Sequence, residues 1–255
     1  MSFWTGVGLG NRMLIINADD WGRSLAETDA ALECYKAGRI TSVSAMVFMG
    51  DSERAAELAK ENKLDVGLHL NFTDRFTANQ DASVLGNHHE KIIAFLRRNK
   101  YSQLLYNPFL RKEFAYSCKA QIDEFTSLYG TLPSHIDGHH HMHLCANMLL
   151  SKAIPRGIKM RRNFSFWPGE KGPLNRAYRA FVDRRLAGRY YIPDYLFDLS
   201  QCIEAKKLGR VSVLAKSSNV ELMTHPVIHA EAEYLMSDEF RELLQRLDIG
   251  SYALV

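Results

Sequence analysis

Short apolar runs alternate with amphipathic stretches along most of the chain, and this alternation predicts the fold. RMLIINAD (12–19) predicts a β-strand, and SLAETDAALECYKAG (24–38) has helical periodicity with a glycine at its end. The same order returns in TSVSAMVF (41–48), SERAAELAKEN (52–62) and LDVGLHL (64–70). A strand, a helix and another strand in succession indicate right-handed βαβ units and a parallel sheet.

The second half continues this pattern less regularly. A helical region is predicted over 107–129. Further strands are predicted at SHIDG (134–138), IKMRR (158–162) and NVELMT (219–224). We therefore expect an α/β fold of the closed or nearly closed, TIM-like (β/α) barrel type. No linker or repeat divides the chain, so residues 13–255 are predicted to form a single domain after a short N-terminal extension, residues 1–12.

Reactive side chains fall at the C-terminal ends of the predicted strands. They are Asp19, Asp20, His69, Asp137, His139 and His225. In a barrel these ends meet at one rim, and the loops that follow the strands form the active site. The polar segment FTDRFTANQDASVLGNH (72–88) has little periodicity and is predicted to be one such long loop.

The segment PSHIDGHHHMHL (133–144) places five histidines and an aspartate within nine residues. In an extended chain the alternate residues of this run, from His135 to His143, are expected to share a face. Imidazole and carboxylate suit Zn²⁺ or another divalent cation, and a catalytic site needs about three protein ligands. The other histidines, such as His141, would support the ligands or face the substrate, and Asp137 could orient a ligand imidazole. The alternative is a surface turn that happens to be rich in histidine.

Each of the other candidate site residues, taken singly, also has a common structural explanation. Asp19 and Asp20 leave the strand in opposite directions, so one could bind a metal and the other a water, although Asp-Asp is also common in turns and at helix N-caps. His69 is expected to be a metal ligand rather than a core histidine, because the site needs an imidazole from a neighbouring strand. His225, which precedes Pro226, is expected to be a general acid rather than a packed residue.

Composition narrows the class of protein. The chain has 255 residues, of which 46% are hydrophobic, and 32 basic residues are interspersed with 29 acidic ones to give a net charge of +3. Neither a nucleic acid nor an anionic membrane is therefore expected as a partner. The four cysteines are far apart and form no CxxC pair, and the N-terminus has no apolar leader. We expect a soluble, cytoplasmic protein.

Five motifs in order carry a resemblance to a known family. LIINADDWG, VGLHLNFT, PSHIDGHHHMHL, VELMTHP and the closing IGSY resemble the YdjC-like carbohydrate deacetylases from about Met13 to the C-terminus. The resemblance implies a (β/α) barrel related to polysaccharide deacetylases, and removal of acetyl groups from N-acetylated sugars such as chitooligosaccharides. It further implies a small carbohydrate substrate and a divalent metal, usually Mg²⁺, with Zn²⁺ as the alternative. Many members self-associate, so a homodimer is one expectation.

The same resemblance implies roles for particular residues. Asp20, His69 and His139 match the metal ligands, Asp19 matches the general base and His225 the general acid. The family pattern usually has Phe where this chain has Trp21, and often Ser where it has Gly138, but neither change removes a ligand. The segment DRFTANQDASV after NFT is the variable part, so the resemblance constrains the identity of the sugar least.

Several side chains near these motifs are candidates for substrate binding. Arg161, with Arg162 beside it, could bind substrate oxygens or orient Asp19, or the two could be a solvated pair. Trp21, Trp167 and Tyr191 could stack on a pyranose ring or belong to the core.

Two other classes of function remain open from the sequence. A metal-dependent phosphoesterase or amidohydrolase also uses His-x-His clusters, but usually near the first strand, where this chain has NADD. A non-catalytic sugar-binding or metal-storage protein is the second class. It is disfavoured because a pure binder has no use for Asp19 as a base beside a ligand carboxylate.

Overall fold

The computed structural model describes residues 12–78 and 84–254. Residues 1–11 of the predicted N-terminal extension and residues 79–83 of the predicted loop lie outside this description.

A curled parallel sheet forms the centre of the described chain. Its strands follow the order β4-β3-β2-β1-β6-β5, and β7 pairs with β1 off this path. The strands are β1 (Leu14–Trp21), β2 (Ser42–Ala45), β3 (Val66–Leu70), β4 (Ile136–Gly138), β5 (Tyr195–Asp198), β6 (Val220–Thr224) and β7 (Ile249–Gly250). All of their pairings are parallel, which confirms the prediction of a parallel α/β sheet.

The sheet is a half-barrel rather than the closed or nearly closed barrel expected from the sequence. The predicted strand 158–162 forms only isolated bridges, one between Met160 and Ile136 and one between Lys159 and Tyr191. The backbone nevertheless continues from one sheet edge to the other, because Ser165 N donates to Leu196 O of β5 at 2.9 Å. An irregular segment therefore lies between the two edge strands where a regular strand was predicted.

Helices connect the strands. Among the described residues they are α1 (Leu25–Lys36), α2 (Ser52–Asn62), α3 (Val84–Leu96), α4 (Arg111–Tyr129), α5 (Ala146–Leu150), α6 (Pro173–Ala187), α7 (Leu199–Glu204), α8 (Leu208–Ala215), α9 (His229–Met236) and α10 (Asp238–Leu244). The side chain of Ser24 caps α1 by accepting from Ala26 N, as expected for serine at an N-cap. None of the described helices combines the length and hydropathy that crossing a bilayer requires.

The prediction of one long loop over residues 72–88 is partly wrong, because α3 already begins at Val84. The buried positions of α3 include Leu85, His89, Ile92 and Leu96, which recur at helical spacing. Most of this repeat lies beyond residue 88, so the segment 72–88 alone contains too little of it to show a helix.

The central strand β1 is buried along its whole length, as a strand in a sheet covered on both faces should be. All four cysteines are free and buried. Burial raises the pKa of the thiols of Cys118, Cys145 and Cys202 to about 12, so they are poor nucleophiles.

Position 67 in β3 has no room for a side chain, because the backbone there lies directly against the ring of His135. A Cβ at this position would lie 2.2 Å from Cε1 of His135, whose fully buried ring stacks on Tyr252 and cannot retreat. Gly67→Ala is therefore expected to lower the free energy of unfolding by about 1–3 kcal/mol, as measured by urea denaturation. The control is Gly209→Ala in α8, where no heavy atom lies within 4 Å and alanine favours the helix. Equal stability of the two variants would refute the steric argument.

Candidate metal and catalytic site

The carboxyl ends of β1, β3 and β4 bring together side chains that are far apart in the sequence. Asp19 and Asp20 lie near the end of β1, His69 lies in β3 and Asp137 in β4, and His139 directly follows β4. His69 and Asp137 are direct partners in the ladder of the two strands. All five side chains are buried, so the rim of the sheet holds a dense cluster of ionisable groups.

A local irregularity of β1 allows both aspartates to reach this cluster. The register between β1 and β2 shifts between Ala18 and Trp21, and Asp20 has a left-handed φ of 65°. Aspartate is one of the few residues that tolerate this conformation. Bulges commonly re-aim a side chain next to an active site, and here the shift accompanies two consecutive carboxylates on one site.

Asp20, His69 and His139 have the geometry of a ligand set. Asp20 Oδ1 lies 2.8 Å from His139 Nδ1 and 3.3 Å from His69 Nε2. Donors at about 2.0–2.2 Å from one cation are separated by distances of this order. Asp20 Oδ1 is buried and has no hydrogen-bond partner of acceptable geometry among the described residues. One carboxylate and two imidazoles, with an orphaned oxygen between them, fit a divalent cation.

The second nitrogen of His69 is held by Asp137. His69 Nδ1 lies 2.8 Å from Asp137 Oδ1, and the other carboxylate oxygen accepts from Ser44 Oγ at 2.8 Å. Burial opposes protonation of His69, but the charges of Asp137 and Asp19 outweigh it and raise its pKa to about 10. A carboxylate behind a histidine fixes the ring and directs the other nitrogen to a metal, so a cation bound at Nε2 would displace a proton.

The carboxylate of Asp20 remains ionised. Burial alone would raise its pKa, but the imidazoles of His139 and His69 outweigh burial and lower the pKa well below the usual range. Asp20 therefore offers a negative charge to a cation at neutral pH.

A fully buried guanidinium, that of Arg161, joins three carboxylates below the site. Its Nη1 and Nη2 donate to the two oxygens of Asp19 at 2.6 Å each, and Nη1 also lies 2.6 Å from Asp137 Oδ2. Its Nε donates to Glu221 Oε1 at 2.7 Å. Burial would lower the pKa of Arg161, but the carboxylates raise it well above the ordinary value. Arg161 thus fixes the orientation of Asp19 and neutralises part of the negative charge.

The network continues into the interior of the sheet. Glu221 of β6 also accepts from the hydroxyl of Tyr252, in the closing IGSY motif. Tyr252 is buried, and its ring stacks on that of His135 at a centroid distance of 3.8 Å. The C-terminal motif therefore holds Glu221 and, through it, Arg161.

His225 lies at the same rim, immediately after β6. Ala18 pairs with Thr224 in the ladder between β1 and β6, so Asp19 and His225 follow paired residues. The ring of His225 is half-buried and lies close to the carboxylates of Asp198 and Glu231, with one ligand-type atom from each within 4.8 Å. Glu231 Oε2 accepts hydrogen bonds from Thr224 Oγ1 at 2.8 Å and from the backbone N–H of His225.

Asp74, in the loop after β3, is a site residue that the sequence analysis missed. Its Oδ2 lies 3.2 Å from His139 Nε2 and 3.1 Å from an amino group of Arg23, and its Oδ1 accepts from Arg97 at 2.7 Å. Asp74 therefore links His139 to two cations beside the ligand set. The only signal in the sequence was an aspartate close behind the GLHL strand.

The structure narrows the alternatives that the sequence left open for three residues. Trp21 does not face a substrate, which corrects the stacking role, because its side chain is fully buried in the core and its indole N–H donates to Ala55 O at 3.2 Å. Arg161 has no exposed surface for substrate oxygens, which corrects that role, but its hydrogen bonds to Asp19 confirm the alternative that it orients this carboxylate. His141 makes no hydrogen bond to the three proposed ligands among the described residues, and its ring packs edge-on against Phe164.

The shared face predicted for the histidine run also ends early. Strand β4 stops at Gly138, and residues 139–144 form 3₁₀ turns in which His140 and His141 have left-handed φ angles of 51° and 57°. The ring of His141 packs against Phe164 after this turn, although the sequence spacing predicted that it would share a face with His139.

The chain is similar to several known proteins. A family profile described as "YdjC-like protein" matches residues 13–246. A chitooligosaccharide deacetylase from Serratia marcescens is 32% identical over 244 residues, which cover 93% of this chain and 90% of that protein. A chitooligosaccharide deacetylase from Proteus mirabilis is 29% identical, with 84% and 81% covered.

The fold has a counterpart among solved structures. A protein of Enterococcus faecalis V583, provisionally assigned to cellobiose-phosphate cleavage, superimposes with a TM-score of 0.63 over 95% of this chain and 98% of that chain. The two sequences are 20% identical, so this likeness concerns the fold alone.

Proposed function

Because the chain belongs to the YdjC-like protein family, we propose that it is a metal-dependent hydrolase that removes acetyl groups from N-acetylated sugars. One observation carries the proposal, namely the convergence of Asp20, His69 and His139 around a common point with the carboxylate of Asp19 beside them. Relatives that cover most of the chain are named as deacetylases of chitooligosaccharides, which supports an acetylated amino sugar as the substrate.

Asp20, His69 and His139 would hold the cation. A divalent ion bound there would supply Lewis-acid chemistry, lowering the pKa of a water molecule and polarising the amide carbonyl of the substrate. The family resemblance favours Mg²⁺, whereas two imidazoles among three ligands suit Zn²⁺ better. Both ions belong in the first reconstitution experiments.

Asp19 would act as the general base. Its carboxylate is close to the ligand set, since Asp19, His69 and Asp137 each offer an atom within 4.8 Å of the others. Asn17 Nδ2 and the guanidinium of Arg161 fix the carboxylate in one orientation. Asp19 would take a proton from the attacking water, and Arg161 would limit the movement of the base between turnovers.

His225 would act as the general acid. An amine is a poor leaving group unless it is protonated, so a proton donor is needed on the side of the sugar nitrogen. His225 is half-buried at the rim of the sheet, and the carboxylates of Asp198 and Glu231 lie close to its ring.

A cavity beside the proposed acid offers space for a sugar ring. It has a volume of about 320 Å³, and Asp198 lies in its wall together with Trp167 and Phe197. The rings of Trp167 and Phe197 stack at a centroid distance of 5.4 Å. Phe197 stacks on Trp167 and the guanidinium of Arg210 lies 3.9 Å from the centre of the same ring, so sugar stacking by Trp167 stays a prediction from the sequence.

The proposal is tested by product analysis. The purified chain is stripped of metal, reconstituted with Mg²⁺ or Zn²⁺, and incubated with acetylated mono- and disaccharides. We expect release of acetate and loss of one acetyl group from the sugar, detected by mass spectrometry. Release of phosphate from phosphomonoesters with no loss of acetyl would instead support the phosphoesterase alternative. Turnover of neither substrate class by a metal-loaded chain would favour a sugar-binding protein.

The cellular setting is part of the same proposal. Four free, buried cysteines support a reducing compartment, for which the cytoplasm is the first choice. Homodimer formation stays a prediction, and light scattering of the purified chain checks it.

A further inference from the structure

Five cationic side chains from two separate segments line one surface cavity. They are Lys152, Arg156, Arg184, Arg185 and Arg189. The cavity has a volume of about 490 Å³, and none of its lining residues is acidic. In the chain as a whole, basic residues are interspersed with acidic ones, so the composition gave no reason to expect such a surface. The fold brings the five side chains together around one cavity. We call these five residues, together with the cavity that they line, the basic surface.

No carboxylate in the described part of the chain is paired with any of the five cations. None forms an ion pair with a described residue, and the nearby carboxylate of Asp183 is already paired with Arg162. Arg189 is held by donating to the backbone oxygen of Ser151, but its buried Nε has no partner among the described residues. The basic surface therefore carries a positive field that is not neutralised by an ion pair within the described residues.

An exposed apolar stripe on α6 leads into the basic surface. Leu174, Tyr178, Phe181 and Arg185 follow at spacings of four, three and four residues, which place them on one helix face. Leu174 is 86% exposed and Phe181 is 57% exposed. Only Val182 and Leu186 of this 15-residue helix are buried, so its outward face has no partner in the described chain. Leu150, at 51% exposure, adds an apolar side chain to the wall of the cavity.

We propose that α6 and the basic surface form a peripheral docking site for a bilayer that contains anionic phospholipid. Helices that lie in a membrane interface carry Lys and Arg together with exposed Leu and Phe. Burial of the apolar side chains and attraction of the cations to anionic lipid both contribute to the free energy of binding. Leu174 and Phe181 would enter the headgroup region, and the five cations would contact lipid phosphates, whereas Tyr178 also lines the cavity beside His140 and His141. The proposal concerns where the protein binds and does not depend on its activity.

Other occupants fit the surface less well. A two-fold interface centred on the cavity would bring the five cations of one copy against those of the other, which like-charge repulsion opposes. A nucleic acid would satisfy the cations but would leave the aliphatic side chains of Leu174 and Leu150 without a matching partner. A small anion would fill the cavity and likewise leave the stripe on α6 exposed.

Vesicle sedimentation tests the proposal. The full chain is mixed with vesicles of equimolar phosphatidylglycerol and phosphatidylcholine, or of phosphatidylcholine alone, at low salt. We expect binding to the first and much weaker binding to the second. Arg184→Gln combined with Arg185→Gln should lower the partition coefficient by about 30-fold, the effect of two cations near an anionic surface. Leu174→Gln combined with Phe181→Gln should remove the binding that persists at high salt.

The matched control removes the same charge elsewhere. Lys36→Gln combined with Lys216→Gln takes two exposed cations from α1 and from the end of α8, and it should bind vesicles nearly as well as the unchanged chain. Thermal melting shows that each variant is folded. Equal binding by the arginine variant and the lysine control would overturn the proposal. So would a failure to bind anionic vesicles while duplex DNA or inorganic phosphate binds in a manner that requires Arg184 and Arg185.

Discussion

Replacing Asp20 by asparagine is expected to abolish metal binding at the site and to reduce turnover by about 10³-fold or more. Asp20 supplies the only carboxylate of the proposed ligand set, and a bound metal contributes several kcal/mol to catalysis of this kind. Asparagine suits the test because it also tolerates the left-handed φ of 65° at this position. Metal affinity is measured by calorimetry, and turnover by acetate release.

A neighbouring aspartate gives the matched comparison. Asp74 lies 3.2 Å from His139 but outside the ligand set, so Asp74→Asn should weaken metal binding by only about 10-fold to 100-fold. If Asp20→Asn retained the affinity of the unchanged chain, or lost no more than Asp74→Asn, the assignment of Asp20 as a ligand would be wrong.

Replacing Asp19 by asparagine should separate binding from catalysis. An amide cannot accept the proton of the attacking water, so turnover is expected to fall by about 10²–10⁴-fold. Metal affinity should change little, because Asp20, His69 and His139 remain and Arg161 still contacts Asp137 and Glu221. The comparison therefore requires both acetate release and calorimetric titration of the same preparation.

The control for Asp19 is a second buried aspartate away from the rim. Asp51 is 5% exposed and pairs with Arg54 at 2.9 Å, so Asp51→Asn perturbs a partly buried ion pair without touching the site. We expect this variant to keep its turnover. Loss of metal binding by Asp19→Asn would move Asp19 from the role of a base to that of a ligand.

The sequence predicted much of the site because a topological rule decided it. Parallel strands end at one rim, so apolar runs that end in Asp20 and His69 were enough to expect the two side chains to meet there, as the structure shows. His139 follows the short strand β4 and reaches the same place. The family resemblance, now confirmed over most of the chain, added the expected roles.

Features that depend on the geometry of turns and on long-range packing could not be predicted. The spacing of His139 and His141 indicates a shared face only in an extended chain, and after left-handed turns the ring of His141 packs against Phe164. Arg161 and Trp21 lie beside site motifs, but burial in the folded interior decides what they contact. The half-barrel has the same origin, because whether a segment joins the sheet as a regular strand depends on both of its neighbours.

The basic surface likewise depends on long-range packing and could not be predicted from the sequence. Arg156 and Arg189 are 33 positions apart and ordinary in composition, and only the packing of their two segments shows that they line one cavity. The total charge of a chain therefore says little about its local fields.

Anomalous diffraction from crystals loaded with Mn²⁺ tests the central claim without reference to activity. The site as described predicts one strong peak at about 2.0–2.3 Å from Asp20, His69 and His139, with Asp19 nearby but not coordinating. A peak coordinated by other residues, or no peak at the rim in crystals that bind Mn²⁺ elsewhere, would contradict it.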